Sequence, residues 1–391
     1  MSDFRNQNRT FLAKIESTPG TDAAPVVGTD AIRVEAPTHS DNWELIEVNE
    51  VTGGLDRSPR QTGGGSASQR VTTILKGSGT GGAAPEVGPL LRMAALSQTL
   101  IAADVTDVLQ ASSTTTALKL ASGDVSADGD YIGAIIRLTS GAYSGYTGVI
   151  TGSTASTDTV EVFPAVAGAA ALGDGYTIDA AAVYQPASSS LELGSCYLWN
   201  HPSAAGLDAI LEKVVGAAAN GQLTVPVRGV GRWQFDISGK LVAPSETTDP
   251  GVGTYDGLAG VVLVAATAYL GTEAIKFNEF SLNLGNEVSL ADDPSEAYGF
   301  DKAGVVRRRI TCRINPRRVN LATRNTFSRI SAGTTVPLWL KWGTGDGGVL
   351  SIYAPAARAV SREDVDNNGF AHEGVDFDLG GVDSAAYFCF A

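Results

Sequence analysis

Residues 77–100 read GSGTGGAAPEVGPLLRMAALSQTL, and this stretch decides the fold that we predict for the chain. It opens as a glycine-rich hinge and continues into a helix start, because the fixed φ of Pro85 and Pro89 suits a first helical turn. One face of the helix is apolar and carries Val87, Leu90, Leu91 and Ala94. Since the flanking sequence has β-strand character, we expect one short helix that covers the apolar face of a sheet.

The sequence beyond this helix alternates between apolar and polar residues, which is typical of strands with one buried face. Residues 232–242 place Trp233, Phe235 and Ile237 on one face before a turn at 238–239. Residues 277–285 repeat the pattern, and the later sequence VPLWLKWGTGDGGVLSIY predicts a β-hairpin. The expected fold is therefore mainly β, with one flanking α-helix.

Composition limits the classes of function that fit the chain. It has 391 residues, 18% of them charged, and a net charge of −14, so a DNA phosphate backbone would be repelled. The longest apolar run, 258–270, is shorter than the ~20 residues of a membrane-spanning helix and is expected to be a buried strand. The polar N-terminus lacks a secretion signal, which favours a cytoplasmic site of synthesis. The three cysteines are too widely spaced for a disulfide framework or a zinc site, and we expect them to be buried: Cys196, Cys312 and Cys389.

Residues 104–184 differ from the rest of the chain and predict an inserted small all-β domain. Short β-prone runs alternate with glycine, serine and aspartate turns, and nine acidic against two basic residues give a net charge of −7. Such a charge requires solvent on most sides. We therefore expect a main body formed by 1–103 and 185–391, with 104–184 projecting from its outer surface.

An arginine-rich segment at 305–330 contains eight arginines and no acidic residue. If 306–314 is a strand, Arg307, Arg309 and Arg313 share one face. We expect a subunit interface in which they face acidic residues of a partner, such as Asp292, Asp293 and Glu296. The alternatives are a DNA-contacting groove, which lacks interleaved aromatic residues, and a solvated charged strand.

Two glycine-rich stretches predict loops that are mobile in the free subunit and become ordered on a partner. They are Thr62–Gln69 and 77–82, with Gly63, Gly64, Gly65, Gly77, Gly79, Gly81 and Gly82 as the assembly-loop residues. The alternative for the first stretch is an inert hairpin tip.

Evidence for catalysis or for a metal site is weak. Asp364, Asp366 and Asn368 match the first half of a calcium loop, but Val375 stands where a bidentate glutamate is required, so an acidic loop without metal is favoured. The histidines are His39, His201 and His372, and none lies in a recognisable catalytic or ligand motif. We expect no cofactor and no enzymatic activity. A carbohydrate hydrolase with dispersed carboxylates is the enzyme alternative.

Four segments resemble the tail tube proteins of long-tailed bacteriophages (siphophages). They are LAKIESTPGTDAAP at 12–25, GTGGAAP followed by GPLLR at 79–92, SGKLVAP at 238–244 and FSLNLGNEV at 280–288. The resemblance implies a β-sandwich or barrel with one flanking helix, and subunits that form stacked hexameric rings around a DNA-conducting lumen. It covers the body but not residues 104–184.

The resemblance also implies partners and a location. The partners are further copies of the chain, the tape measure, tail terminator and distal tail proteins, and viral DNA that passes without specific binding. The location is the virion, after assembly in the bacterial cytoplasm, with no membrane partner. The alternative function is a capsid or tail decoration protein, with an adhesive, carbohydrate-binding β-module.

Overall fold

The computed structural model describes residues 3–48, 50–51, 59–204 and 206–391. The first group of elements is β1 (Phe4–Ile15), β2 (Ala31–Ile32), β3 (Glu35–Ile46), β4 (Gln61–Ile74), α1 (Gly88–Met93) and β5 (Leu96–Ile101). The second group is β6 (Val105–Val108), β7 (Ala117–Lys119), β8 (Ile135–Leu138), β9 (Thr147–Thr154), β10 (Thr159–Phe163) and β11 (Gly175–Ile178).

The remaining elements follow β11 in chain order. First come β12 (Ala181–Pro186), β13 (Gly194–Pro202), β14 (Asp208–Pro226), β15 (Arg232–Thr248), β16 (Thr267–Leu270), β17 (Glu273–Ala274) and β18 (Phe277–Asn283). Then come β19 (Asn286–Asp292), β20 (Phe300–Arg308), β21 (Thr311–Pro316), α2 (Thr326–Ala332), β22 (Thr335–Trp342), β23 (Leu350–Asn367), β24 (Phe370–Leu379) and β25 (Tyr387–Phe390).

Strand β14 is central to the large antiparallel sheet. Its residues 210–217 pair with β13 and its residues 222–226 pair with β18, while β15 runs along its other edge. Beyond β15 the sheet continues through β4 to β3, and beyond β18 it continues through β21 and β24 to β23. The prediction of a mainly β fold is confirmed.

Helix α1 packs into the core as predicted. Its apolar stripe is buried in the main core cluster: Val87, Leu90, Leu91 and Ala94. The helix is only six residues long, and Pro89 stands in its first turn.

Helix α2 is a second helix that the sequence analysis did not predict. The side chain of Asn325 accepts a hydrogen bond from the Ser328 amide at 2.9 Å, which caps the first turn. Gly333 closes the last turn with a left-handed φ of 63°.

Residues 105–178 form a separate six-stranded sheet that curves into a half-barrel, in the order β6-β11-β8-β9-β10-β7. The chain leaves the large sheet at the end of β5 and returns at the start of β12, where Ile101 and Ala181 are paired residues. The core of the half-barrel is continuous with Tyr353 and Tyr387 of the large sheet. The half-barrel is therefore anchored on the large sheet by an aromatic contact.

Two local predictions were wrong. Most of 258–270 is irregular, only Thr267–Leu270 is a strand, and Val262 and Val264 are exposed. Strand β15 does not turn at 238–239 but continues to Thr248, and Gly239 lies beside a bulge of β14 where a Cβ would be 2.8 Å from Val214. Among the described residues, no helix has the length and apolar character needed to cross a membrane.

Candidate functional site

The glycine-rich stretch Thr62–Gln69 is part of strand β4, so the prediction of a loop there is wrong. β4 pairs with β3 on one side and with β15 on the other. A Cβ on Gly65 would lie 2.9 Å from the Trp43 ring, and one on Gly64 would lie 2.9 Å from a backbone carbonyl between β19 and β20. Glycine is required at these two positions because an aromatic ring and a backbone segment of the same chain lie directly on the strand.

The second stretch, 77–82, is a hinge between β4 and α1 that packs against other parts of the chain. A Cβ on Gly77 would collide with the loop between β22 and β23, and Gly82 has a left-handed φ of 75°. Next to the hinge, the buried ammonium of Lys76 contacts the carboxylates of Glu86 and Asp256. The hinge is thus fixed within one subunit, and its role in assembly stays a prediction.

The arginine-rich segment is not one continuous strand. β20 ends at Arg308 and β21 begins at Thr311, because the segment crosses from the β19–β20 hairpin to the large sheet. Three apolar residues of the segment are buried in the core as expected: Ile310, Cys312 and Ile314. The side chains of Arg307 and Arg309 are 81% and 73% exposed, so both remain available at the surface.

These arginines have acidic neighbours within the same chain. The Nη2 atom of Arg309 lies 2.8 Å from Asp378, and this hydrogen bond raises the pKa of the guanidinium because it stabilises the charged form. Arg313 contacts Glu363 and also lies 3.3 Å from Asp376. Arg307 has a longer contact, 3.9 Å to Glu287.

The acidic residues proposed as partners lie elsewhere, on the β19–β20 hairpin. Asp292 ends β19 and is exposed. The hydroxyl and amide of Ser295 lower the pKa of Asp293 because they hydrogen-bond its charged form. Glu296 bonds Lys240 at 2.6 Å. Within the described chain, none of these carboxylates forms an ion pair with Arg307, Arg309 or Arg313, so any such pairing would have to join two subunits.

Arg324 differs from these surface arginines because its side chain is only 1% exposed. Its Nη1 atom lies 2.9 Å from Glu273, and its Nε atom lies 3.8 Å from Glu373. Glu373 also accepts a hydrogen bond from the Thr326 hydroxyl at 2.8 Å. This buried network fastens the segment before α2 to the start of β24.

The calcium-loop candidates form the tip of the β23–β24 hairpin. Asn368 and Gly369 have φ values of 53° and 82°, as expected for a two-residue hairpin turn of type I′. The Asp366 carboxylate accepts a hydrogen bond from the Gly369 amide at 3.0 Å, and Asp364 lies 3.1 Å from Arg318. In the part of the chain that the structure describes, no group of three or more His, Cys, Asp or Glu side chains is arranged to hold a metal ion.

His201 forms a hydrogen-bonded chain that the sequence analysis missed. Its Nδ1 atom lies 2.7 Å from Asp249 and its Nε2 atom lies 2.9 Å from the Thr10 hydroxyl. The order hydroxyl–imidazole–carboxylate is that of a hydrolase triad. Thr10 is only 1% exposed, so no substrate can reach it. His201 lies within β13, and its contacts join β1 to the segment after β15.

A polar cavity of about 730 Å³ lies where the half-barrel meets the large sheet. Its lining includes Arg137, Asp179 and Lys341, and Arg137 is 2.5 Å from the Asp179 carboxylate. Burial raises the pKa of Asp179 and lowers that of Lys341. The ion pair between Arg137 and Asp179 therefore forms a polar contact at the junction of the two sheets.

The described chain therefore offers exposed strands and charged surfaces rather than an accessible catalytic cluster. A comparison with protein families gives a match to the phage tail tube protein family over residues 6–378, from β1 to the last residues of β24. No curated protein matches the chain. Since the match covers nearly the whole chain, the protein belongs to the phage tail tube protein family, a family of structural, non-enzymatic virion components that polymerise with themselves.

Proposed function

We propose that the protein is the major subunit of the tail tube of a siphophage, with six subunits in each ring and stacked rings that enclose the DNA channel. The observation that supports this most is the family match across residues 6–378. The half-barrel of residues 105–178 would then lie on the outer surface of the tube. The half-barrel has seven acidic and two basic residues, a net charge of −5, and on the outer surface this charge would be solvated rather than crowded against its copies.

Strand β3 supports a polymer that grows by sheet extension. One of its edges pairs with β4, and in the described chain no strand register is formed along the other edge. Residues 41–46 of β3 are all exposed. A long exposed edge strand is a template for pairing with another chain, and self-assembly is a way to cover it.

The charge of the subunit supports passage of DNA without binding. Each lysine or arginine that neutralises a phosphate adds affinity, and such contacts summed along a tube would retain the DNA. A net charge of −14 disfavours this. We propose that Arg307 and Arg309 form contacts between subunits, and that acidic residues such as Asp292, Asp293 and Glu296 of a neighbour face them.

The remaining partners follow from the position of a tube in a tail. The polymer would enclose the tape measure protein during assembly, meet the tail terminator at one end and meet the distal tail proteins at the other. Assembly would take place in the cytoplasm of the bacterial host.

Electron microscopy of the purified protein tests this function. We expect rings and hollow tubes, and class averages of end views with six-fold symmetry. Another symmetry would contradict the ring size only. Monomers that form neither rings nor tubes at any concentration, and that bind glycans, would instead favour the decoration or adhesion protein.

A further inference from the structure

We propose that one polar sheet face of the subunit lines the channel and meets the phosphate backbone of double-stranded DNA, and that two carboxylates on this face neutralise its arginines so that the DNA is not retained. We call it the channel face. It consists of the side chains within 35–38, 70–72, 220–222, 232–236 and 281–283 that point away from the core. The inference rests on the proposed function, and it adds which side of the subunit the DNA passes and which residues keep the DNA mobile.

Strand register places these side chains on one face. Directly opposed residues of antiparallel strands share a face, and so do residues two apart along a strand. One row of opposed residues crosses β3, β4, β15, β14 and β18: Glu35, Thr72, Gln234, Gln222 and Asn283. A second row crosses the first four of these strands: Thr38, Arg70, Asp236 and Asn220. Every side chain in the two rows is at least partly exposed.

The channel face lies on the side of the subunit away from the half-barrel. On the opposite face of β15, the buried Trp233 ring contacts the Phe388 ring of β25, with ring centres 5.6 Å apart. The neighbours of Phe388 along β25, Tyr387 and Cys389, belong to the core of the half-barrel. The layers therefore follow in the order channel face, β15, β25 and half-barrel. With the half-barrel outward, as proposed above, the channel face is turned toward the channel.

Each charge on the channel face has a partner of opposite sign on the same face. Arg70 contacts the carboxylate of Asp236, which is opposite it on β15. Arg232 donates a hydrogen bond of 2.8 Å from Nε to Glu35, across β4. The four charges sum to zero, and their side chains are between 41% and 63% exposed. A phosphate near either arginine also meets its carboxylate, so the counterion release that drives DNA binding is small.

The uncharged residues of the channel face favour a partner that slides over it rather than one that docks. They are amides and hydroxyls, which bind water, and none supplies the aromatic or apolar anchor of a stable protein interface. Asn220 and Asn283 also bond each other at 3.3 Å across the face. Since β3 is at the edge of this sheet, the sheet extension proposed above would continue the channel face into the next subunit.

Thiol labelling of assembled tubes tests the orientation of the channel face. Gln222 is exposed on this face, Leu172 is 67% exposed in the half-barrel, and the three native cysteines are buried. We compare Gln222→Cys tubes with Leu172→Cys tubes. Each is treated with a small maleimide, and separately with a maleimide carried on a globular protein wider than the channel seen in micrographs.

We expect Gln222→Cys tubes to react with the small reagent only and Leu172→Cys tubes to react with both. In the free subunits, both variants should react with both reagents. Gln222→Cys tubes that react with both reagents, or with neither, would overturn the orientation while the proposed function stands.

Removal of the two carboxylates tests whether they keep the DNA mobile. The test variant is Glu35→Gln, Asp236→Asn, which leaves both arginines of the channel face without their partners. The control, Asp107→Asn, Glu161→Gln, removes the same charge from exposed strand positions of the half-barrel. Each variant is polymerised with short double-stranded DNA at low salt, the tubes are pelleted, and the DNA that survives nuclease treatment is measured.

We expect about tenfold more protected DNA in the test variant than in the control, and this excess should disappear between about 50 and 200 mM salt. Equal amounts of protected DNA would overturn the role of the carboxylates. Retained DNA that the nuclease digests would place the two arginines outside the channel and overturn the orientation as well. A test variant that folds but does not polymerise would assign the ion pairs to a subunit contact and also overturn the inference. Failure of the unmodified protein to form tubes would overturn the proposed function with it.

Discussion

At the scale of single residues, the arginines between 305 and 330 are one feature in the sequence but several in the structure. Arg324 is buried against Glu273 and Glu373, whereas Arg309 stands at the surface beside Asp378. The amino-acid composition counts one positive charge for each arginine and does not distinguish the buried one from the exposed one. Burial depends on which distant carboxylates the fold brings close, and the 51-residue separation of Arg324 and Glu273 gives no local pattern that would predict it.

Two arginine substitutions should therefore have opposite consequences. Arg324→Met leaves buried carboxylates without their partner, which should lower the free energy of unfolding by about 3 kcal/mol. Arg309→Glu should leave the unfolding midpoint close to that of the native protein but block polymerisation, because it reverses a charge at a proposed subunit contact. Urea unfolding of the free subunit and electron microscopy of concentrated samples measure the two effects. An Arg309→Glu protein that forms normal tubes would remove Arg309 from the interface.

At the scale of elements, strands with an alternating pattern could be predicted and glycine-rich strands could not. The faces of 232–237 and 277–283 follow from period two, and burial of Trp233 and Phe280 confirms them. Thr62–Gln69 has the composition of a loop. It is a strand because its glycines leave room for the Trp43 ring of β3, which would be 2.9 Å from a Cβ on Gly65. Helix α2 carried readable signals, since Asn325 and Gly333 occupy its two caps.

Hydrogen exchange distinguishes the strand from a mobile loop. The β3–β4 and β4–β15 ladders engage residues 66–69 of β4 on both sides, so their amides should already be protected in the free subunit. Residues 77–82, which lie outside any strand, serve as the internal comparison. If the amides of 66–69 exchange as fast as in an unfolded peptide, these residues are not a strand in the free subunit. If they become protected only on polymerisation, the prediction of a mobile loop that becomes ordered on a partner is correct after all.

At the scale of the whole molecule, acidic composition and dense turns indicated that residues 104–184 differ from the body. Their attachment could not be read from the sequence, because Tyr353 and Tyr387 contribute to the half-barrel core from positions more than 150 residues away. The pairing of Ile101 with Ala181 means that the chain departs and returns at one place. Because the two ends of the insertion are adjacent, it can be removed and the chain rejoined without moving β5 or β12.

Deletion of the half-barrel tests whether it belongs to the tube wall. Replacing residues 104–179 by a short glycine-serine turn should join β5 to β12 as a hairpin, since their ends are already paired. The variant should fold with a lower unfolding temperature, because Tyr353 and Tyr387 lose their cover. It should still form tubes, and their outer diameter in electron micrographs should be smaller while the lumen is unchanged. Folded subunits that no longer polymerise would assign the half-barrel to the wall, and tubes with an unchanged outer diameter would show that it does not face outward.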